Sequence, residues 1–216
     1  MASDTPKRGQ GFDLKSGTTD ADAVSGYYDA WASTYDETLD SWDYRAPAIA
    51  AERLARHVQA GDAILDAGCG TGLFGRAMAR HGAFRMVGLD ISSASLERAG
   101  QRDLYDRLIQ HDLQRLPLPI DDDAMAGAAS VGVLTYIENG AGLLRDLCRC
   151  VRPGGVITFT QRTDRWEERA FATIVEAIAE DGAWRVLEIS EPLDYLPGNQ
   201  DFGHDIKVIH TLCRVT

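Results

Sequence analysis

The run from Ile64 to Gly72, Ile-Leu-Asp-Ala-Gly-Cys-Gly-Thr-Gly, constrains this chain more than any other: an apolar stretch ends on Asp66 and breaks into three glycines spaced by two. Glycine lacks a Cβ and adopts positive φ, so the pattern turns a chain sharply out of a strand and lets a ligand lie against the main chain. Asp66, just before the first glycine, bears on the charge of that ligand.

The surrounding pattern alternates. Strands are predicted at 63–67, 84–89, 108–111, 124–134, 156–161, 185–190 and 206–213. Helices are predicted at 73–81, from an N-cap at Ser92 to Gly100, at 141–151 with Pro153 as its stop, and at 167–181. Upstream, an aromatic-rich helical segment covers 21–42, with Tyr27, Trp31 and Tyr35 on one face by spacing. A second helix covers 47–57, with Pro47 at its start and Gly61 past its end. Strand-helix alternation with short connections predicts an α/β, doubly wound, mostly parallel seven-stranded sheet with helices on both faces. Ligands of such sheets bind beyond the carboxyl ends of the strands, where the glycine run sits.

Composition removes several partner classes. The chain has 216 residues and a formal net charge of −11, and lysine is scarce. Nucleic acid is not expected as a partner, because binding it requires clustered Lys and Arg. No apolar stretch reaches the roughly 20 residues that span a bilayer, and the N-terminus carries no signal-type apolar core, so no membrane partner and a cytoplasmic location are the expectations. Cys69, Cys148, Cys150 and Cys213 fit neither a disulfide framework nor a zinc site, and the histidines lack metal-ligand spacing, so no metal is expected.

Three acids follow strands in order: Asp66, Asp90 and Asp112. Adjacent strand ends bring all three to one pocket. A carboxylate 22 residues beyond Gly68, after the second strand, is where a doubly wound fold grips ribose hydroxyls. Asp112 is suited to accept from an exocyclic adenine amine.

Asp66-Ala67-Gly68-Cys69-Gly70-Thr71-Gly72, Gly88-Leu89-Asp90, His111-Asp112-Leu113 and Val151-Arg152-Pro153-Gly154-Gly155, in this order, resemble the class I S-adenosylmethionine-dependent methyltransferases over about residues 60–160. The resemblance implies that the glycine loop passes under the methionine and sugar, that Asp90 and Ile91 lie at the ribose, and that Asp112 and Leu113 face the adenine. The resemblance also implies that Val131 and Gly132, ending the fourth strand, supply backbone contacts near the methionyl end. Where many members place Phe-Asp before that strand, this chain has Met125-Ala126.

The stretch Tyr27-Tyr28-Asp29-Ala30-Trp31-Ala32-Ser33-Thr34-Tyr35-Asp36, with Tyr44-Arg45-Ala46-Pro47, is similar, more loosely, to the methyltransferase-like proteins of the Williams-Beuren syndrome region and their bacterial relatives. That likeness implies a helical lid over the cofactor, with Tyr27 and Tyr35 near its methionyl end. The expected organisation is a flexible tail over 1–20 and a single domain over 21–216, of which 21–58 is the lid and 59–216 the α/β core. On periodicity alone, Trp31 and Tyr35 fit a core face as well as a lid.

The implied reaction is methyl transfer from S-adenosylmethionine to a small-molecule acceptor, and no residue declares itself as a catalytic base. Tyr136 is a candidate for the acceptor pocket, with Trp42, Tyr44, Arg162, Trp166 and His204 as weaker ones. Two rivals stand beside this reading. Gly70-Thr71-Gly72-Leu73-Phe74-Gly75 matches the G-x-G-x-x-G of a nicotinamide oxidoreductase, and a non-catalytic S-adenosylmethionine-binding protein shares the same cofactor motifs.

Overall fold

The computed structural model describes residues 14, 15, 17–200, 202 and 205–216. The tail over 1–13 and His204 lie outside the described residues. Three helices come first: α1 (Ala21–Trp31), α2 (Tyr35–Ser41) and α3 (Ala46–Ala55). Asp20 caps α1 by accepting the Ala23 N–H, and Pro47 sits in the first turn of α3, where its missing N–H costs nothing.

The alternating part follows as β1 (Ala63–Ala67), α4 (Leu73–Met78), β2 (Arg85–Asp90), α5 (Ser93–Gly100), β3 (Arg107–Gln110) and β4 (Met125–Ser130). After a 3₁₀ turn at Leu134–Tyr136 come α6 (Gly140–Cys150), β5 (Val151–Arg162), α7 (Thr163–Glu168), α8 (Phe171–Glu180), β6 (Trp184–Ile189), β7 (Leu193–Asp194) and β8 (Lys207–Val215). Ser92 caps α5 as expected, its hydroxyl accepting the Ser95 N–H.

The sheet runs β3-β2-β1-β4-β5-β8-β6, parallel except for β8, which is antiparallel to β5 and β6. The seven expected strands form this path, and the two-residue β7 adds an eighth by pairing with β8. Neighbours of β1 lie on opposite sides, β2 and β4, so the strand order reverses at β1. The crevice opened there is the ligand position of this architecture.

Both faces of the sheet are covered. On one, Ile64, Met86, Val156 and Leu212 pack against Ala50, Ala51 and Leu54 of α3 and Phe74, Ala77 and Met78 of α4. On the other, Leu65, Ala128, Ile157 and Phe159 meet Leu143, Leu144 and Leu147 of α6 and Phe171, Val175 and Ile178 of α8. A separate aromatic cluster seats Trp31, Leu39 and Trp42 on Leu196, Phe202 and Ile206 of the β7–β8 connection.

Several local expectations change. The aromatic segment 21–42 is two helices, broken at 32–34, because Tyr35 restarts the helix after a turn. The helix expected over 167–181 is also two, parted by Ala170 in the left-handed region at φ 48°. Pro153 does not stop α6. That helix ends at Cys150, and Pro153-Gly154-Gly155 lies inside β5, where β4 advances from Met125 to Gly127 while β5 advances from Val151 to Val156. The extra residues form a bulge, a position in which Pro and Gly are tolerated within a sheet.

Residues expected in the loose tail are tied down where they are described. The buried Arg162 guanidinium donates to the carbonyls of Leu14 at 2.9 Å and Lys15 at 2.5 Å. Gln114 donates to the Thr19 carbonyl at 2.8 Å.

Candidate functional site

The glycine turn builds the floor of the site. β1 ends at Ala67, and the amides of Gly68 and Cys69 both donate to the Leu89 carbonyl, at 2.8 and 2.9 Å, folding the turn back against β2. Gly68 has φ +85°, and a Cβ there would come within 2.1 Å of Val133 Cγ2. Gly72, at φ 88°, is the N-cap of α4. Gly70 faces space with nothing within 4 Å of a built Cβ, so the floor is open to a ligand at that residue.

A cleft of about 710 Å³, open solvent at its mouth included, stands above this floor, bounded by α1, α2, the strand ends and the 3₁₀ turn. Of the residues expected at the site, Tyr35, Gly68, Gly70, Asp90, Ile91, Asp112, Leu113, Val131 and Gly132 line it. A smaller recess of about 340 Å³, also bounded by Tyr35, Gly68 and Gly70, adds Asp66 and Thr71. Gly72 stays at the helix start, and Ala67 is fully buried in the core.

Two expected residues stand elsewhere. Trp31 is 1 % exposed and belongs to the aromatic cluster with Leu39 and Trp42. Tyr27 lies edge-on to Trp31, and its neighbour Tyr28 lines the cavity instead. One residue of offset rotates a helical side chain by roughly 100°, and the break after α1 carries Tyr35 off the face that spacing had assigned.

Tyr136 lines the cavity, and Tyr28 donates to its hydroxyl at 3.0 Å. Tyr44 borders the smaller recess, with its hydroxyl 2.7 Å from where a Gly132 Cβ would stand. Arg162 is buried beside the strand ends, paired with Asp164 and 5.2 Å over the Phe202 ring. Trp42 and Trp166 are packing residues: the first is in the aromatic cluster and the second against Phe171. Sequence reasoning missed Tyr195, which stands edge-on to Tyr44 at 5.6 Å, and Gln114, which lines the cavity. Neither belongs to a motif, so no local signal announced them.

Asp90 accepts the Gly70 amide at 2.7 Å and the Ser92 amide at 2.9 Å. Burial raises its pKa, while the bonds from Ser92, Gly70 and Ile91 amides oppose the rise. Asp66 is pushed up to about 7, mainly by burial, with the Tyr105 hydroxyl bond at 2.6 Å opposing and the charge of Asp90 adding. Tyr28, Tyr35, Tyr44, Tyr136 and Tyr195 all have raised pKa values, with burial the leading cause, so they are neutral hydrogen-bond donors at physiological pH.

Two carboxylates fasten the N-terminal helices to this frame. Asp29 of α1 accepts the Ser92 hydroxyl at 2.6 Å and the Ala94 amide at 3.1 Å, at the start of α5. Asp36 of α2 accepts the Thr71 hydroxyl at 2.6 Å and pairs with Arg102, which also donates to the Thr71 carbonyl. Sequence inspection passed over both, because a carboxylate in a helix normally reads as a solvated residue. Among the described residues, no group of three metal-ligating side chains occurs and no helix is long and apolar enough to cross a membrane.

Comparison with known proteins adds family to geometry. A methyltransferase domain family matches residues 65–159. The chain is 30% identical over 177 residues to human methyltransferase-like protein 27, covering 79% of this chain and 71% of the human one. Among solved structures it is similar to a chain from the complex of the Haloferax volcanii Trm112 methyltransferase activator with a methyltransferase, at TM-score 0.69 and 22% identity over 89% of this chain and 97% of that one. It is also similar to a geranyl diphosphate methyltransferase in complex with S-adenosylmethionine, at TM-score 0.61 and 16% identity, over 78% of this chain and 85% of that one. The glycine turn under an open cavity, the acid at the end of β2 and the extent of the match to a human relative together make this chain a member of the class I S-adenosylmethionine-dependent methyltransferases.

Proposed function

We propose that the chain binds S-adenosylmethionine along the carboxyl ends of β1 to β4 and transfers its methyl group to a small molecule held in the same cavity. The observation that carries this reading is the cavity itself, which brings Gly68, Gly70, Asp90, Asp112 and Gly132 to one space also bounded by Tyr28 and Tyr35. In this reading Asp90 accepts the ribose hydroxyls, and Asp112 and Leu113 flank the adenine. Asp66 and the Gly68–Gly70 backbone lie under the methionyl part, with Tyr35 above. S-adenosylmethionine supplies a methyl group already activated by a positive sulfur, so much of the protein's contribution is alignment of two bound reactants, with large effective molarity. Aromatic faces attract such a cation.

The acidic net charge of −11 favours a small acceptor over nucleic acid. Helices α1 and α2 act as the lid. Calorimetry with S-adenosylmethionine and S-adenosylhomocysteine, alongside a broad methyl-acceptor screen, tests the reading: both ligands bind and at least one small acceptor turns over. Tight binding without turnover of any acceptor makes the chain a cofactor-binding protein instead.

The affinity for S-adenosylmethionine falls as pH drops through about 7. Asp66, with its pKa pushed up to about 7, is ionised above that value and protonated below it, and only the ionised form attracts the methionyl ammonium. Binding therefore releases a proton near neutrality, which calorimetry in buffers of different ionisation enthalpy detects; Asp66→Asn removes the release. A pH-independent affinity separates Asp66 from the ligand.

Asp36→Asn weakens the cofactor complex by about 0.5–1.5 kcal/mol, because it removes the charge that holds α2 to Thr71 and Arg102, both partly shielded from solvent. Hydrogen exchange of the α2 amides accelerates in the same variant. Unchanged exchange means that aromatic packing alone holds the lid.

A further inference from the structure

One wall of the cavity is the segment that follows β4, where Val131, Gly132, Val133, Tyr136 and Ile137 all line it. Its 3₁₀ turn carries main-chain bonds from the Tyr136 amide to the Val133 carbonyl at 2.9 Å and from the Ile137 amide to the Leu134 carbonyl at 3.4 Å. Leu134, Thr135 and Ile137 are buried, and the carbonyls of a buried turn need partners. A single guanidinium supplies them. Arg169 donates through Nη1 to the carbonyls of Ile137 at 2.7 Å and Leu134 at 3.2 Å, and through Nη2 to that of Thr135 at 3.1 Å. A rigid planar fork suits several convergent carbonyls better than the compact charge of an ammonium does.

The chain around Arg169 is shaped to deliver it. Arg169 is the C-cap of α7, and the next residue, Ala170, is left-handed at φ 48° before α8 begins. A non-glycine residue adopts that conformation at a cost, and such strain persists where surrounding contacts enforce it. Other tethers of the same segment come from β5: the Gly132 amide donates to the Thr160 hydroxyl at 2.9 Å, and the Thr135 hydroxyl donates to Gln161 at 3.0 Å. The turn reaches α1 as well, since Tyr28 donates to the Tyr136 hydroxyl at 3.0 Å. Arg169 is not among the residues that line the cavity, so it acts on the wall through the turn.

Resting on the methyltransferase reading above, we infer that Arg169 is a positioning residue for the cofactor: its guanidinium holds the 3₁₀ turn where Val133, Tyr136 and Ile137 face bound S-adenosylmethionine and Tyr136 meets Tyr28. Without the fork, three carbonyls are short of donors. The turn then relaxes toward water, and a ligand has to restore its order at the expense of affinity. A second arginine supplies the control. Arg149 donates to the carbonyls of Leu118 at 3.1 Å and Ile120 at 2.7 Å, and neither of those residues lines the cavity. Its loss removes a comparable clamp from a part of the chain that the cofactor does not touch.

The full chain is titrated calorimetrically with S-adenosylhomocysteine, and hydrogen exchange follows the turn. Arg169→Met weakens S-adenosylhomocysteine binding about tenfold, the scale of coupling within one hydrogen-bonded network. Exchange of the Tyr136 and Ile137 amides accelerates in the unliganded variant and returns toward the wild-type rate once the ligand is bound. Arg149→Met lowers the thermal midpoint and leaves affinity unchanged, which separates positioning from general loss of stability. Arg169→Lys keeps the charge and part of the donor set, so it falls between methionine and wild type, and it carries the test if the methionine variant does not fold. In a Tyr136→Ala background, Arg169→Met weakens binding by less than it does in the wild-type chain, because part of the wall it positions is gone. Unchanged affinity in the Arg169 variants, unaltered exchange at Tyr136 and Ile137, equal losses of affinity in the Arg169 and Arg149 variants, or full additivity with Tyr136→Ala overturns the inference. Failure of the wild-type chain to bind S-adenosylhomocysteine overturns the methyltransferase reading instead.

Discussion

Alanine at position 68 abolishes S-adenosylmethionine binding and lowers stability by about 2–5 kcal/mol, combining left-handed backbone strain with overpacking of a filled site. The backbone there has φ +85°, and the new methyl group would stand 2.1 Å from Val133 Cγ2. Val133 opens the 3₁₀ turn that carries Tyr136, so relief by movement displaces the cavity wall as well as the floor. Thermal unfolding measures the first effect and calorimetry the second. Gly70→Ala provides the contrast, since nothing lies within 4 Å of its built Cβ. Its folded state loses only the left-handed strain of about 1–2 kcal/mol, while the methyl group projects to the ligand face and binding is lost. Full cofactor affinity in the Gly68 variant places the ligand off the glycine turn.

Asp90→Ala weakens S-adenosylmethionine binding by about 1–3 kcal/mol, the loss of hydrogen bonds to a charged acceptor. The Asp90 carboxylate also organises the floor, taking the Gly70 amide at 2.7 Å and the Ser92 amide at 2.9 Å. Its removal frees two amides and blunts the turn between β2 and α5. Asp90→Asn keeps one carbonyl acceptor and falls between alanine and wild type. Affinity unchanged by either substitution moves the ribose away from the end of β2. Because burial disfavours the charge of Asp90 in the protein alone, the alanine variant keeps its fold, and the two measurements separate binding from stability.

The parts of the fold written in short stretches of chain were legible. β1 at Ala63–Ala67 and the cap at Ser92 fall where apolar runs and capping chemistry place them. Strand ends also put Asp90 and Asp112 on one cavity, since parallel neighbours share an edge. Two expected site residues, Trp31 and Tyr27, do not line the cavity. Their link to the cofactor came from the family likeness, while helical spacing fixes only which residues share a face. Which face turns to the cavity depends on how α1 docks, and α1 docks with Trp31 against Trp42. The nicotinamide pattern Gly70–Gly75 gives way to the match with a methyltransferase domain over residues 65–159, since one short glycine pattern serves more than one cofactor.

Sequence by itself determined the glycine turn, the order of acids after β1, β2 and β3, and the alternation that builds a parallel sheet. These depend on backbone freedom, charge and periodicity, which act over a few residues. Tertiary structure alone decided that Arg162 holds Leu14 and Lys15, that Asp29 and Asp36 fasten α1 and α2, and that Tyr44 stands beside Gly132 with Tyr195 edge-on to its ring. Those contacts join residues far apart in the chain, and their partners are chosen by packing of the whole sheet and its helices. No local pattern encodes that choice.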